Sequence, residues 1–180
     1  EGIVYSINGS NNVYKEFRED SLEKANKIKA LIQKNINNKY IAIPNAIVEN
    51  NNKIVGFIMP KIEGIEFSKS ICLPKPRFEQ KLEGYKRENL LEIALDLVNK
   101  VEELHSKNIL IGDINPNNFM LNKEEKKVYL IDCDSYQVDT FPCPVGTQEF
   151  TPPELQGVDF RYRLRDLNNE LFSLAVMLFT

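Results

Sequence analysis

Three side chains in one stretch of this sequence are of the types that phosphoryl transfer requires: Asp113, Asn118 and Asp132. They lie in Ile109-Leu110-Ile111-Gly112-Asp113-Ile114-Asn115-Pro116-Asn117-Asn118-Phe119-Met120-Leu121 and, past a charged turn, in Val128-Tyr129-Leu130-Ile131-Asp132-Cys133-Asp134. Each of two short apolar runs delivers a carboxylate, and an amide follows the first of them after a tight loop. In such a set one carboxylate faces the acceptor hydroxyl. The amide and the second carboxylate hold magnesium ions that neutralise the phosphates. The turn from Asn122 to Lys127 would let the two runs pair as a hairpin and bring all three side chains to one end of it. Asp and Asn are also common turn residues, so the surrounding elements decide the matter.

Those elements are legible from periodicity. Gly2-Ile3-Val4-Tyr5-Ser6-Ile7 alternates like a strand, Asn8-Gly9 signals a tight turn, and Asn12-Val13-Tyr14-Lys15-Glu16-Phe17 returns. Lys15 stands in mid-strand. A helix is expected over 21–34, with Ser21 as N-cap and Leu22, Ala25, Ile28, Leu31 and Ile32 on one face. A second hairpin joins residues 45–49 to 53–59, and Pro60-Lys61-Ile62-Glu63-Gly64 breaks the pattern. Residues 65–85 carry Pro74 and Pro76 and read as irregular. The run from Arg87 to His105 is a long amphipathic helix with Leu90, Leu91, Ala94, Leu97, Val98, Val101 and Leu104 facing the core. Ser135 to Gln148 has no period and is too long for a simple connection, which marks it as a functional loop. The last stretch, 167–180, is apolar nearly all round and predicts a buried helix.

The bulk numbers exclude several classes. A chain of 180 residues supports one core or two small lobes, and 42% apolar with 27% charged residues is ordinary for a globular protein. The net charge of −3 has no basic stripe, which argues against nucleic acid as a partner. Cys72, Cys133 and Cys143 form no paired metal motif, and the single His105 completes no ligand cluster. That usage fits a reducing, cytoplasmic setting. No apolar run reaches the roughly 18 residues of a membrane span.

Taken in order, these parts resemble the protein-kinase fold over almost the whole chain. The resemblance implies an α+β, bilobal protein-kinase-like fold, truncated at both ends. Residues 1–59 would be a small antiparallel-sheet N-lobe with one helix, 60–64 the hinge, and 65–180 a mainly helical C-lobe. Gly2-Ile3-Val4 is similar to the end of the glycine-rich loop, and Lys15 to the third-strand lysine. Asp113 would be the catalytic base, and Asn118 and Asp132 the magnesium ligands. The adenine of ATP would sit between Val4 and Val13 above and Met120 below. Met59 would be the gatekeeper, and the backbone of Pro60 and Ile62 would give the hinge hydrogen bonds. Glu23 is one candidate for the helix acid that pairs with Lys15, and Asn26 aligns about as well. Val145-Gly146-Thr147-Gln148-Glu149-Phe150-Thr151-Pro152-Pro153-Glu154 is similar to the segment on which protein kinases dock an acceptor peptide, with Thr147 turned toward Asp113.

More narrowly, I-G-D-I-N-P-N-N and I-D-C-D-S-Y-Q-V resemble a bacterial subgroup of Ser/Thr-kinase-like proteins in which G-D-L-N and D-x-D-S replace H-R-D-L-K and D-F-G. ATP, magnesium and a protein hydroxyl are then the implied partners. The departures are specific. Gly112 replaces an Arg that couples to a phosphorylated loop, and Asn115 stands where a Lys holds the γ-phosphate. Asp134 replaces a glycine, and Glu170 an Asp. Two other readings follow from the same residues. One is a pseudokinase or nucleotide-binding module. The other is a small-molecule phosphotransferase, since G-D-x-x-x-x-N and I-D-x-D also resemble aminoglycoside and choline kinases, which lack the G-T-x-x-F-x-P-P-E segment.

Overall fold

The computed structural model describes residues 2–18 and 21–180. Strands β1 (Gly2–Ser6) and β2 (Asn12–Phe17) form the first hairpin, and Gly9 takes the positive φ of 71° that its turn needs. Helix α1 (Leu22–Gln33) follows, capped by the Ser21 side chain accepting from the Lys24 amide. Strands β3 (Ala46–Asn50) and β4 (Lys53–Pro60) complete an antiparallel sheet of order β1-β2-β4-β3. Pro60, expected in the break, is the last residue of β4.

The second part is mainly helical. It begins with β5 (Ile65–Glu66) and a helix the irregular reading missed, α2 (Lys75–Lys81), with Pro76 in its first turn, where a missing N–H costs nothing. Helix α3 (Arg87–His105) then runs to β6 (Ile109–Leu110). The α3 face differs in detail from the expected one. Ile93, Leu97, Val101 and Leu104 are buried, whereas Leu91 is 63% exposed.

The central hairpin also needs a correction. Its arms are β7 (Phe119–Asn122) and β8 (Lys127–Leu130), joined across the expected turn. The run at Ile109 is not one of them. It pairs antiparallel with β9 (Gln137–Val138) instead, so the chain between β6 and β7 is free to form a loop. That loop carries Asp113 and Asn118.

Helix α4 (Leu167–Phe179) is capped by Asp166, with Asn169 reciprocating. Within this chain one face of the helix packs inward. Glu170, Ser173, Leu174 and Met177 are buried, while Leu167, Leu171, Phe172, Leu178 and Phe179 are exposed. One core joins both parts: Leu31 and Ile41 pack with Leu97, Leu104, Phe119, Leu130 and Tyr136. No helix among the described residues is long and apolar enough to cross a membrane.

Candidate active site

The loop between β6 and β7 is held from beneath by Glu170 of α4. Its two carboxylate oxygens accept from the main-chain N–H groups of Ile111 (2.6 Å) and Gly112 (2.8 Å), and the side chain has no solvent exposure. Charge-assisted bonds of this kind fix a loop more firmly than neutral ones. Gly112 has φ +76°, and a β-carbon there would lie 2.5 Å from Cβ of Cys143. Glycine is the residue that satisfies both demands.

Beyond Gly112 the loop is bonded to itself. Asn118 donates its amide N–H to the Asp113 carbonyl (2.8 Å) and to the Asp113 carboxylate (3.4 Å). Asn115 is buried, donates to the Asp113 carbonyl (3.3 Å) and accepts from the Asn117 N–H (2.9 Å). The Ile131 N–H donates to the Asn118 carbonyl (3.1 Å), so the position of Asn118 is tied to the residue before Asp132. Asp132 itself is left-handed, with φ 56° and ψ 34°, a conformation that Asp tolerates better than most residues. It turns the chain so that both Asp132 and Asp134 reach Lys15.

Lys15 Nζ donates to Asp132 Oδ1 at 2.9 Å and to Asp134 Oδ1 at 2.7 Å. Lys15 is 8% exposed. Burial works against its ammonium, but Asp134 and Asp132 outweigh that, and its pKa lies above the ordinary lysine value. Glu23, one of the two candidates on α1, is not its partner here. Glu23 is exposed in the first turn of α1, and the carboxylates that meet Lys15 come from the far side of the cleft.

Gly2, Lys15, Glu23, Asp113, Asn115, Asn118, Asp132 and Thr147 line one cleft of about 650 Å³ between the sheet and the helical part. At its mouth the Thr147 hydroxyl donates to Asp113 Oδ1 at 2.8 Å. Thr147 is fixed in turn through its carbonyl, which accepts from the Thr151 hydroxyl (2.9 Å) and the Phe150 N–H (3.0 Å). Phe150 packs against the core. Pro153–Leu155 is a single 3-10 turn after this platform.

Of the residues expected around a nucleobase, Val4, Val13 and Met59 share the sheet face of Lys15: Val4 pairs with Lys15, and Val13, two residues before it on β2, pairs with Met59. Val13 is buried on β2 opposite Met59, with Pro60 opposite Asn12 on the neighbouring pair. Val4 is 52% exposed on β1 opposite Lys15, Ile62 packs on the core, and Met120 faces Glu66 across β5 and β7.

The donor set suits a hard cation. The Asn118 amide nitrogen is committed to Asp113, which leaves its oxygen as the atom available to a metal, and Asp132 supplies carboxylate oxygen; magnesium takes oxygen ligands of these kinds. No group of three or more His, Cys, Asp or Glu side chains that could hold a metal occurs among the described residues. An amide–carboxylate pair would need phosphate oxygens to complete a metal site.

Sequence reasoning missed two buried cations beside this cleft, Lys27 and Arg165. For Lys27 a signal existed: it precedes Leu31 by one helical turn, on the edge of the apolar stripe of α1. For Arg165 there was none, because its partners are main-chain carbonyls.

No family model matches the chain. It is 35% identical over 147 residues to the protein kinase YegI of Escherichia coli, found in two strains, over 78% of this chain and 22% of that protein. A second relative, provisionally named a serine/threonine-protein kinase, from Acanthamoeba polyphaga mimivirus, is 30% identical over 117 residues, 59% of this chain and 39% of that one. The chain thus spans about a fifth of the length of the bacterial relative it matches. Among solved structures, the kinase PK-1 of the Cydia pomonella granulovirus superposes on 98% of this chain and 61% of its own length, with a TM-score of 0.65 at 15% identity. That likeness is one of fold.

Proposed function

The chain belongs to the protein-kinase-like superfamily, and we propose that it moves the γ-phosphate of ATP to a Ser or Thr hydroxyl of a protein, in the cytoplasm, with magnesium. The observation that carries this reading is the 2.8 Å bond from Thr147 to Asp113 at the mouth of a cleft that also holds Lys15, Asn118 and Asp132. A small-molecule acceptor needs no fixed platform there, whereas an extended peptide does. Magnesium, held by Asn118 and Asp132, would supply charge neutralisation at the phosphates. Lys15 would bind phosphate oxygens, and Asp113 would orient the acceptor hydroxyl and take its proton. The free thiols of Cys72, Cys133 and Cys143 suit a reducing compartment.

A second reading, a nucleotide-binding module without transfer, draws on Asn115. It is buried and bonded within its own loop, and offers no charge to a γ-phosphate.

The test is γ-phosphate transfer by the full-length protein to generic protein acceptors, beside aminoglycosides and choline. Transfer to protein is expected. Thr147→Val should lower it by about tenfold, the effect of one lost hydrogen bond to a charged group, with the KM for ATP unchanged. Transfer to the small molecules alone, indifferent to Thr147→Val, would replace this reading with the small-molecule one. Magnesium-dependent ATP binding without transfer to any acceptor would favour the module.

A further inference from the structure

Between Asp134 and Thr147 the chain runs through Ser135-Tyr136-Gln137-Val138-Asp139-Thr140-Phe141-Pro142-Cys143-Pro144-Val145-Gly146, with little regular structure of its own. Only the two-residue β9 pairs it to β6. Lys34 pairs with Asp139 (2.5 Å) and the Asp139 N–H donates to the Asn108 carbonyl (3.4 Å), which leaves the stretch nearer Thr147 to be held by other contacts.

Two buried cations supply them, from opposite sides. Lys27 of α1 is 7% exposed, and its ammonium donates to the carbonyls of Ser135 (2.8 Å) and Pro142 (2.9 Å), closing the loop between them. Arg165 is 5% exposed, and its guanidinium donates to the carbonyls of Cys143 (2.9 Å) and Val145 (2.6 Å). Its central carbon, Cζ, lies 3.6 Å from the centre of the Phe160 ring. Arg165 is anchored on β9: its main-chain N–H donates to Gln137 Oε1, and Gln137 Nε2 donates to its carbonyl, both at 2.8 Å. The same guanidinium fills the space beside two glycines. A β-carbon on Gly112 would lie 3.1 Å from one of its nitrogens, and one on Gly146 2.6 Å from the other. The Pro142, Cys143 and Val145 carbonyls are thus gripped just before the residue that touches Asp113.

A buried cation is costly unless its charge is met. Here main-chain dipoles meet it, with no carboxylate within ion-pair distance of either side chain among the described residues. Burial lowers the pKa of the Lys27 ammonium to about 8, and the two carbonyl bonds are what hold the cation there. No anion is needed to complete either grip. The hydroxyls of the segment fit this too: Tyr136 is fully buried and Ser135 donates to the Asp132 carbonyl (2.8 Å), leaving Thr140 as the exposed one.

We infer that Lys27 and Arg165 are positioning residues that hold the segment from Ser135 to Val145 by its main-chain carbonyls, so that Thr147 stays against Asp113 with no phosphoryl group on the segment. The inference rests on the proposed function for the meaning of that arrangement, but not for its existence. The ordering is read by hydrogen exchange, and its consequence by acceptor kinetics.

The experiment uses the full-length protein, treated with phosphatase and checked by mass. Peptides covering 135–147 should stay protected after treatment. Lys27→Met and Arg165→Met should raise their exchange by about tenfold, as expected when a charged donor to buried carbonyls is removed, while α3 peptides stay unchanged. The milder Lys27→Arg should recover most of the protection, and Arg165→Lys, lacking the second fork, only part of it. In kinetics, the Met variants should raise the acceptor KM and leave the ATP KM alone. A segment that loses protection on dephosphorylation, or Met variants with unchanged exchange there, would overturn the inference. Normal protection in a protein that transfers no phosphate supports it and fails the functional reading instead.

Discussion

Asp113→Asn is expected to lower γ-phosphate transfer by about 10²- to 10⁴-fold, the usual worth of a positioned general base, and to leave magnesium-ATP binding almost unchanged. The two roles are separated by geometry. Asp113 bonds Thr147, whereas Asp132 is bonded to Lys15. Asp132→Asn should therefore do the reverse and abolish the thermal stabilisation that ATP confers in magnesium, because it removes a charged oxygen from the metal. Thermal shift with and without magnesium, read beside transfer rates, separates the two. Equal loss of binding in both variants would mean that the roles assigned to these carboxylates are wrong.

Glu170→Ala is expected to be the most damaging change outside the cleft. Glu170 is fully buried, and its oxygens satisfy the N–H groups of Ile111 and Gly112. Truncation leaves both donors buried without a partner, at about 1–3 kcal/mol each. For a chain of this size each kcal/mol shifts the melting temperature by roughly 2–4 °C. A fall on the order of 10 °C should thus accompany loss of transfer, since Asp113 follows Gly112 directly. A variant that melts like the wild type would show that the loop does not depend on α4.

How much of this the sequence carried depended on distance along the chain. Asp113, Asn118 and Asp132 were legible because their spacing is local and their loop is built by neighbours: Asn118 bonds Asp113, and Asn115 bonds Asn117. The same holds for β1 with β2, α1 with its Ser21 cap, and β3 with β4, which follow from periodicity and turn chemistry. Long-range choices were not legible. Nothing local says that Ile109–Leu110 pairs with Gln137–Val138 rather than with the β8 run. Lys15 meets Asp134, 119 residues away, and not an acid on α1, because partner choice depends on how the two parts of the fold close over each other. Lys27 and Arg165 bind carbonyls, and every residue has one.

Every role proposed for these side chains requires magnesium and nucleotide to bind in this cleft. The most direct measurement is a crystal structure of the full-length protein with magnesium and a non-hydrolysable ATP analogue. One magnesium ion should be ligated by Asn118 Oδ1 and Asp132 at about 2.0–2.1 Å, with Lys15 on phosphate oxygens and Asp113 facing the γ-phosphate. A nucleotide bound elsewhere, or Asn118 and Asp132 sharing no metal, would contradict it.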